Sequence, residues 1–337
     1  MRRRMVALLA GSAIACGNEP TATDLGDAVP DGPTATAAAP SAGRWIKRAS
    51  YPLDVFDLTS ASVTNPNTGK STVYVIGGYR KCCGAGQITD AVKAYDAATN
   101  TWKSRAPYPV PIRSTNGAAE VDGKIYVTGG FTKWQPQPGG PWRLQTTKYL
   151  YVYTPSRNAW ERKRDIPDFS VNGASVGYRG KLYVATGNVV WRYDPATDQW
   201  SRFADRPNRD WWDVAAGVIR GKLYLVEEYG GAMDILDLAT GAWTSGPARP
   251  YRACGVASTD FRAKLYLFGW CDDYPTDSEI RDRALVFDPA TSAWSDVALQ
   301  PASVTADAGL ARVFVNEQPR LSLVSGLRTG NHFHFIP

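Results

Sequence analysis

The chain has 337 residues and a formal charge of +6, half of it supplied by Arg2, Arg3 and Arg4. What remains is too weakly basic to argue for nucleic acid, and no arginine-lysine run follows residue 4. Aromatic residues at 12%, with 31 glycines and 23 prolines, suit many short strands joined by turns.

In chain order, residues 1–15 read as an export signal: three arginines, then the apolar stretch Met5 to Ala15 ending in small residues. A membrane-spanning helix needs about 20 apolar residues, and polar sequence already starts at Gly17. Ser12-Ala-Ile-Ala-Cys16-Gly17 resembles a bacterial lipobox, although Ala13 stands where that family usually has leucine. The resemblance implies that Cys16 is lipidated, becomes the new N-terminus and anchors the protein to a membrane. With glycine rather than aspartate at position 17, the outer membrane or cell surface of a bacterium is favoured. An ordinary signal peptide with an incidental cysteine is the alternative. Residues 16–42 contain almost no large apolar side chain and cannot offset their ordering entropy, so they read as a disordered, lipid-anchored linker.

Beyond the linker a pattern repeats. Lys181 to Trp200 reads as a β-branched and aromatic strand, a glycine break, a second strand ending in Tyr193-Asp194, and a turn that delivers Trp200 to a third strand. Asp194 and Thr197 can accept hydrogen bonds from nearby backbone N–H groups, and Pro195 presets φ, which makes Asp-Pro-Ala-Thr a turn with a mechanism. The phrase recurs at Asp96…Trp102, Asp237…Trp243 and Asp288…Trp294, always six residues apart, and Thr154…Trp160 keeps the spacing without the aspartate. Successive tryptophans lie 58, 40, 43 and 51 residues apart, close to the period of about 40–50 of propeller blades.

Before each turn comes a Gly-Lys-hydrophobic-Tyr-hydrophobic strand, as in Gly123 to Val127, Gly180 to Val184 and Gly221 to Leu225. Two such strands end in double glycines, Gly77-Gly78 and Gly129-Gly130. These residues resemble kelch repeats. The resemblance implies an all-β, six-bladed kelch-type β-propeller over residues 43–337, one domain whose core is divided among blades. Arg44-Trp45-Ile-Lys-Arg48 looks like an outer strand with no blade before it. At the other end, residues 306–313, 320–326 and 331–336 read as three strands without a tryptophan. The N-terminal strand is therefore expected to complete the last blade and remove the open edge. A five-bladed ring is the alternative.

In propellers of this family, the loops entering the innermost strands and the loops after the second strands surround one channel mouth. The long loops Tyr79–Ala91, Phe131–Thr147 and Trp270–Arg283 would form walls, and blade three has only a tight turn near Asn188-Val189. Candidate ligand-binding residues at this mouth are Arg80, Arg113, Asn116, Asn172, Trp211, Trp212, Asp213, Arg252 and Trp270. Asp54, Trp134, Trp142, Arg143, Asp272 and Asp273 stand nearby. Indole faces beside carboxylates and arginine forks suit a sugar, whose C–H groups stack and whose hydroxyls find partners. The alternative is that Trp211 or Trp212 packs between blades and the carboxylates are solvated rim groups.

Metal chemistry has little support: His332 and His334, the only histidines, sit two apart on one strand with no third ligand nearby in sequence. The expected propeller resembles galactose oxidase in fold class, but that family's Tyr-His copper pair is absent, so no cofactor is expected. There is no Gly-x-Ser-x-Gly elbow, P-loop or Rossmann glycine pattern. After Cys16, four cysteines remain for an oxidising compartment. Cys254 and Cys271 are equidistant from the turn at Arg262-Ala263 and would pair across the hairpin. Cys82-Cys83 would then be a vicinal disulfide or two free thiols.

Two functional classes follow. One is a monomeric, surface-anchored module that captures a glycan, peptide or protein at its mouth. The other is a sugar-active enzyme resembling the bacterial six-bladed kelch sialic-acid mutarotases. Its base would be one of Asp57, Asp213 and Asp307, candidates by location only. A structural role in the envelope is a third possibility.

Overall fold

A computed structural model of the chain describes residues 43–80, 87–134, 143–207, 214–228, 230–251, 256–269, 284–297, 308–315, 318–325 and 331–337. These residues form six four-stranded antiparallel sheets, each running in order from an inner to an outer strand. Blade one, for example, runs Thr59–Thr64, Ser71–Ile76, Val92–Asp96, Thr101–Ser104. The inner strands of blades two to six are Ala118–Val121, Ala174–Tyr178, Val214–Ile219, Ala257–Phe261 and Gly309–Val315. The fold is the expected six-bladed β-propeller.

Ring closure is as the sequence requires. Arg44–Lys47 pairs antiparallel with Asn331–Ile336, with Trp45 opposite Phe335, and so supplies the outer strand of blade six. The other two strands of this blade run Gly309–Val315 and Gln318–Ser325, shifted by a few residues from the sequence expectation. Each pair of blades encloses its own apolar layer; the layer between blades five and six, for instance, holds Phe268, Leu321, Leu323 and Phe335, with Trp45 packed against it.

The recurring turn works as its residues suggest. Asp96, Asp194, Asp237 and Asp288 each accept the backbone N–H two residues on through Oδ1, at 2.8–2.9 Å. The turn delivers its tryptophan opposite an aromatic residue on the third strand: Tyr95 with Trp102, Tyr153 with Trp160, Tyr193 with Trp200 and Phe287 with Trp294. Ring centroids in these pairs lie 5.0–5.1 Å apart, tilted by 44–48°.

The indole then reaches the preceding blade. Trp102 Nε1 donates to Ala49 O, Trp160 to Ala106 O, Trp200 to Arg164 O and Trp294 to Pro247 O, at 2.8–3.0 Å. Each acceptor lies four residues beyond the previous blade's tryptophan. In blades one to three the bond is reciprocated. Asn100, Asn158 and Asp198 accept the backbone N–H of those same linker residues, and also the tyrosine hydroxyl of their own blade. All three acceptors adopt left-handed backbone (φ 58°, 48° and 53°), which Asn and Asp tolerate better than other side chains. Blade four has Gly241 at this position, and Trp243 Nε1 has no hydrogen-bond partner among the described residues.

The seam between blades six and one is built around the two histidines. His332 and His334 are both fully buried and pack edge-on to Tyr95, with centroids at 4.2 and 5.6 Å. His332 Nδ1 lies 3.2 Å from the Ala49 carbonyl, which can only accept, so Nδ1 carries the proton and Nε2 accepts from the Ser322 hydroxyl at 2.8 Å. Both His334 nitrogens are buried without a hydrogen-bond partner among the described residues. Burial pulls His332 down to about 3 despite the Ala49 contact, and His334 to about 2, with Arg48 disfavouring the charged form of each.

Two outcomes follow from this seam. Removing residues 43–49 strips the outer strand of blade six, Trp45 and the Ala49 carbonyl; the ring should melt far below the intact chain, and Trp45→Ala alone should cost about 3 kcal/mol or more in denaturant titration. Both histidines are neutral in the fold but protonate in the unfolded chain below about pH 6.5, so stability must fall as pH drops from 6.5 toward 3. The limiting loss is about 1.4 kcal/mol per pH unit for each ring. His334→Leu, which removes the unsatisfied nitrogens, should halve that acid slope without lowering stability at pH 7.

Candidate functional site

The linker into the first inner strand pairs with the base of the loop after the second strand: Phe56 bridges Tyr79 in blade one, and Arg113 bridges Phe131 in blade two. These bridges bring both loop sets to one end of the ring, as expected. The double glycines make the approach possible. Gly77, Gly78, Gly129 and Gly130 all have positive φ, and a Cβ on Gly77 or Gly130 would run into the carbonyl of Ile112 or Arg113. The first two walls begin as two-stranded ribbons, Tyr79–Arg80 with Gln87–Ile88 and Phe131–Trp134 with Arg143–Thr146.

At the foot of these walls lies one cluster. Arg113 Nη1 donates to Asp57 Oδ2 at 2.9 Å, and the Ser114 hydroxyl donates to the same oxygen at 2.6 Å. The Arg113 guanidinium lies against the rings of Tyr79 and Phe131, 5.0 and 5.7 Å from their centroids. Asp57, Ser114 and Asn172 occupy left-handed backbone (φ 61°, 47° and 54°) in the linkers entering blades one, two and three. The Ser114 N–H donates to Asp57 O and the Asn172 N–H to Ser114 O, both at 3.3 Å, so a backbone chain runs around this side of the mouth. One oxygen of Asp57 thus carries two internal donors, an arrangement that fixes a loop more readily than it takes a substrate proton.

The remaining candidates divide. Arg80, Arg143, Asn172 and Asp54 are exposed. Asn116 is not at the surface: it is fully buried, and its Oδ1 accepts from Ser170 Oγ at 2.9 Å and Gly173 N at 3.1 Å. It is a strut between blades two and three, which corrects its placement as a mouth ligand; a polar side chain entering an inner strand can turn toward a neighbouring blade as readily as toward solvent. Trp142, Trp211, Trp212, Asp213, Arg252, Trp270, Asp272, Asp273 and Asp307 lie outside the described residues, as do Cys16, Cys82, Cys83, Cys254 and Cys271. Among the described residues no group of three or more His, Cys, Asp or Glu could hold a metal ion.

Two features escaped the sequence reading. Phe169, in the linker into blade three, is 61% exposed with Lys148 Nζ 4.4 Å above its ring, and Leu144, on the second wall, is 52% exposed. Buried charge is the other. Tyr108, Ile166, Arg206 and Arg249 make the same backbone bond to a residue just before their blade's third strand, at 2.7–3.0 Å. Blades one and two fill that buried position with the uncharged side chains Tyr108 and Ile166, and blades three and four with arginine. Arg206 Nη1 donates to Thr186 O at 2.6 Å and Arg249 Nη2 to Glu228 O. Burial lowers both guanidiniums to about 10, opposed by Asp234 for Arg206 and by Glu228 and Glu227 for Arg249. The Arg-Pro pairs 206–207 and 249–250 were the available signal.

Comparison with known proteins agrees with this architecture. Residues 112–166 match the Kelch motif. A putative F-box/kelch-repeat protein of Arabidopsis thaliana is 28% identical over 62% of this chain and 60% of its own length. The Kelch-like protein terF of Aspergillus terreus is 26% identical over 69% and 54%. A Kelch repeat and BTB domain-containing protein 12 of Danio rerio is 28% identical over 48% and 28%. The chain thus spans less than two thirds of each of these relatives. The solved structure of YjhT superposes with a TM-score of 0.62 at 15% identity, covering 85% of this chain and 94% of that one, which bears on the fold alone. The motif match and these relatives make the chain similar to kelch-repeat proteins, in agreement with its propeller fold.

Proposed function

We propose that the face bearing the wall loops binds a protein or peptide partner, and that the domain presents this face from a cell envelope. The observation that carries the reading is the exposure of Phe169 and Leu144 on elements of this face, beside the exposed cations Arg80 and Arg143. Apolar anchors within a polar rim are the usual composition of a protein interface. Binding is favoured over turnover because Asp57, the described member of the three carboxylates considered for catalysis, is already engaged by Arg113 and Ser114. Envelope anchoring rests on the leader and on Cys16, and a glycan remains the second ligand class for the indole-rich loops.

A random-peptide phage library and a glycan array, both screened against the full chain, test the first part. Peptide ligands are expected, and Phe169→Ala or Leu144→Ala should weaken them about tenfold or more, roughly 1.4 kcal/mol. Ligands found only on the glycan array and indifferent to both substitutions would overturn a protein partner. For the anchor, Cys16→Ser should move the protein from the membrane fraction to the soluble exported fraction; unchanged partition would remove Cys16 as the attachment.

A further inference from the structure

A cavity runs along the central channel. It measures about 570 Å³ and is bounded by all six inner strands, from Ser60, Ala118, Ser258 and Leu310 near their starts to the turn residues Arg179 and Arg220 at the end away from the wall loops. That volume suits a small molecule. The turns follow a pattern: Asp122-Gly123 in blade two, Arg179-Gly180 in blade three, Arg220-Gly221 in blade four and Arg262-Ala263 in blade five. Both residues of each turn have positive φ, with the first at 47–50°. Such turns favour Asn, Asp or Gly, because a longer side chain gains nothing there and its Cβ crowds the following carbonyl. Three successive blades nevertheless place arginine at that position, and two of these arginines, Arg179 and Arg220, line the cavity.

The other charges on the wall are Arg312, Asp260 and Glu120. Arg312 Nη1 pairs with Asp260 Oδ2 at 3.1 Å, and Glu120 Oε1 accepts the Gly123 N–H at 2.6 Å. Neither Arg179 nor Arg220 forms a salt bridge among the described residues, and Arg220 acts on a carboxylate only at longer range, helping to hold Asp288 of blade five low. Their turns are neighbours, since a Cβ on Gly221 would meet the Tyr178 hydroxyl at 3.0 Å. The Arg179 guanidinium sits 5.3 Å from the ring of Tyr178, which limits its freedom. Ser60, Ser62 and Ser175 add hydroxyls to the wall, and the buried Oγ of Ser175 has no partner among the described residues.

We propose that the turn end of this channel, where Arg179 and Arg220 stand, is a second binding site, distinct from the wall loops, for a small hydrophilic molecule bearing a carboxylate or phosphate. Arg179 and Arg220 would grip the oxyanion with guanidinium forks, and the serine-lined wall would receive the polar remainder.

The left-handed turns give the test an unusual control. Arg179→Gly/Arg220→Gly relieves the backbone, so the variant should melt at or above the wild-type temperature. Calorimetric titration of the full chain with inorganic phosphate and with succinate reads the site. Wild type should bind at least one probe, the double variant should bind it at least tenfold more weakly, and Arg262→Gly, outside the cavity, should bind it unchanged. Binding of phosphate alone or succinate alone supports the site and tells which oxyanion it takes. Equal affinity in wild type and double variant, an equal loss in Arg262→Gly, or no binding of either probe to wild type would each overturn it. None of these readouts involves the partner of the opposite face.

Discussion

The fold depends on one interaction repeated around the ring, the outer-strand indole N–H of blades one, two, three and five donating to the linker that leaves the previous blade. A four-stranded blade cannot bury both its faces alone, so stability resides in the blade-to-blade contacts. The tryptophan serves those contacts twice. Its ring covers the aromatic residue opposite it on the third strand, and its N–H satisfies a carbonyl that the linker would otherwise bury unpaired. Asn100, Asn158 and Asp198 complete the exchange by taking the linker N–H. One left-handed residue thereby ties a turn, a tyrosine hydroxyl and the neighbouring blade together.

The exception is informative about how the ring tolerates variation. Blade four has Gly241 where blades one to three have Asn or Asp, and it has Leu236 opposite Trp243 in place of an aromatic ring. Both halves of the exchange are missing together. The outer strand of blade three is the longest of its kind, with a register shift at Val190/Trp191 that pairs Ala204 with Val190. Ala204, four residues beyond Trp200, is the equivalent of the linker residues that accept indoles elsewhere, but here it is held in its own sheet. Nearby, the buried guanidinium of Arg206 caps the Thr186 carbonyl, so polar bonding at this boundary has moved from the rim toward the interior.

The two ends of the channel are chemically different. At the wall-loop end, Arg113 and Asp57 pair at the foot of the walls, and what faces outward combines apolar side chains with the exposed cations Arg80 and Arg143. At the other end the turns carry arginine in spite of their backbone. Choices that work against local conformational preference tend to mark function, because the fold alone would favour a different residue.

The amino-acid sequence by itself determined the blade count, the closing strand, the turns and the tryptophan positions. All of these rest on short-range chemistry: an Asp side chain accepting a bond from two residues away, a glycine accepting positive φ, alternation within a strand. Trp45 could be read as an outer strand in search of a blade for the same reason. The fate of polar residues entering the inner strands was decided only in three dimensions. Asn116, which its place before an inner strand assigns to the mouth, is a buried strut, because Ser170 and Gly173, more than 50 residues away, supply its donors. His334 sits without a hydrogen-bond partner among the described residues, in an aromatic seam formed by blades from opposite ends of the chain. Arg206 and Arg249 occupy a position that Tyr108 and Ile166 fill elsewhere, an equivalence visible only once the blades superpose. Periodicity reveals which residues share a blade. Which neighbour a side chain meets depends on how the blades stack, and that is a property of the closed ring.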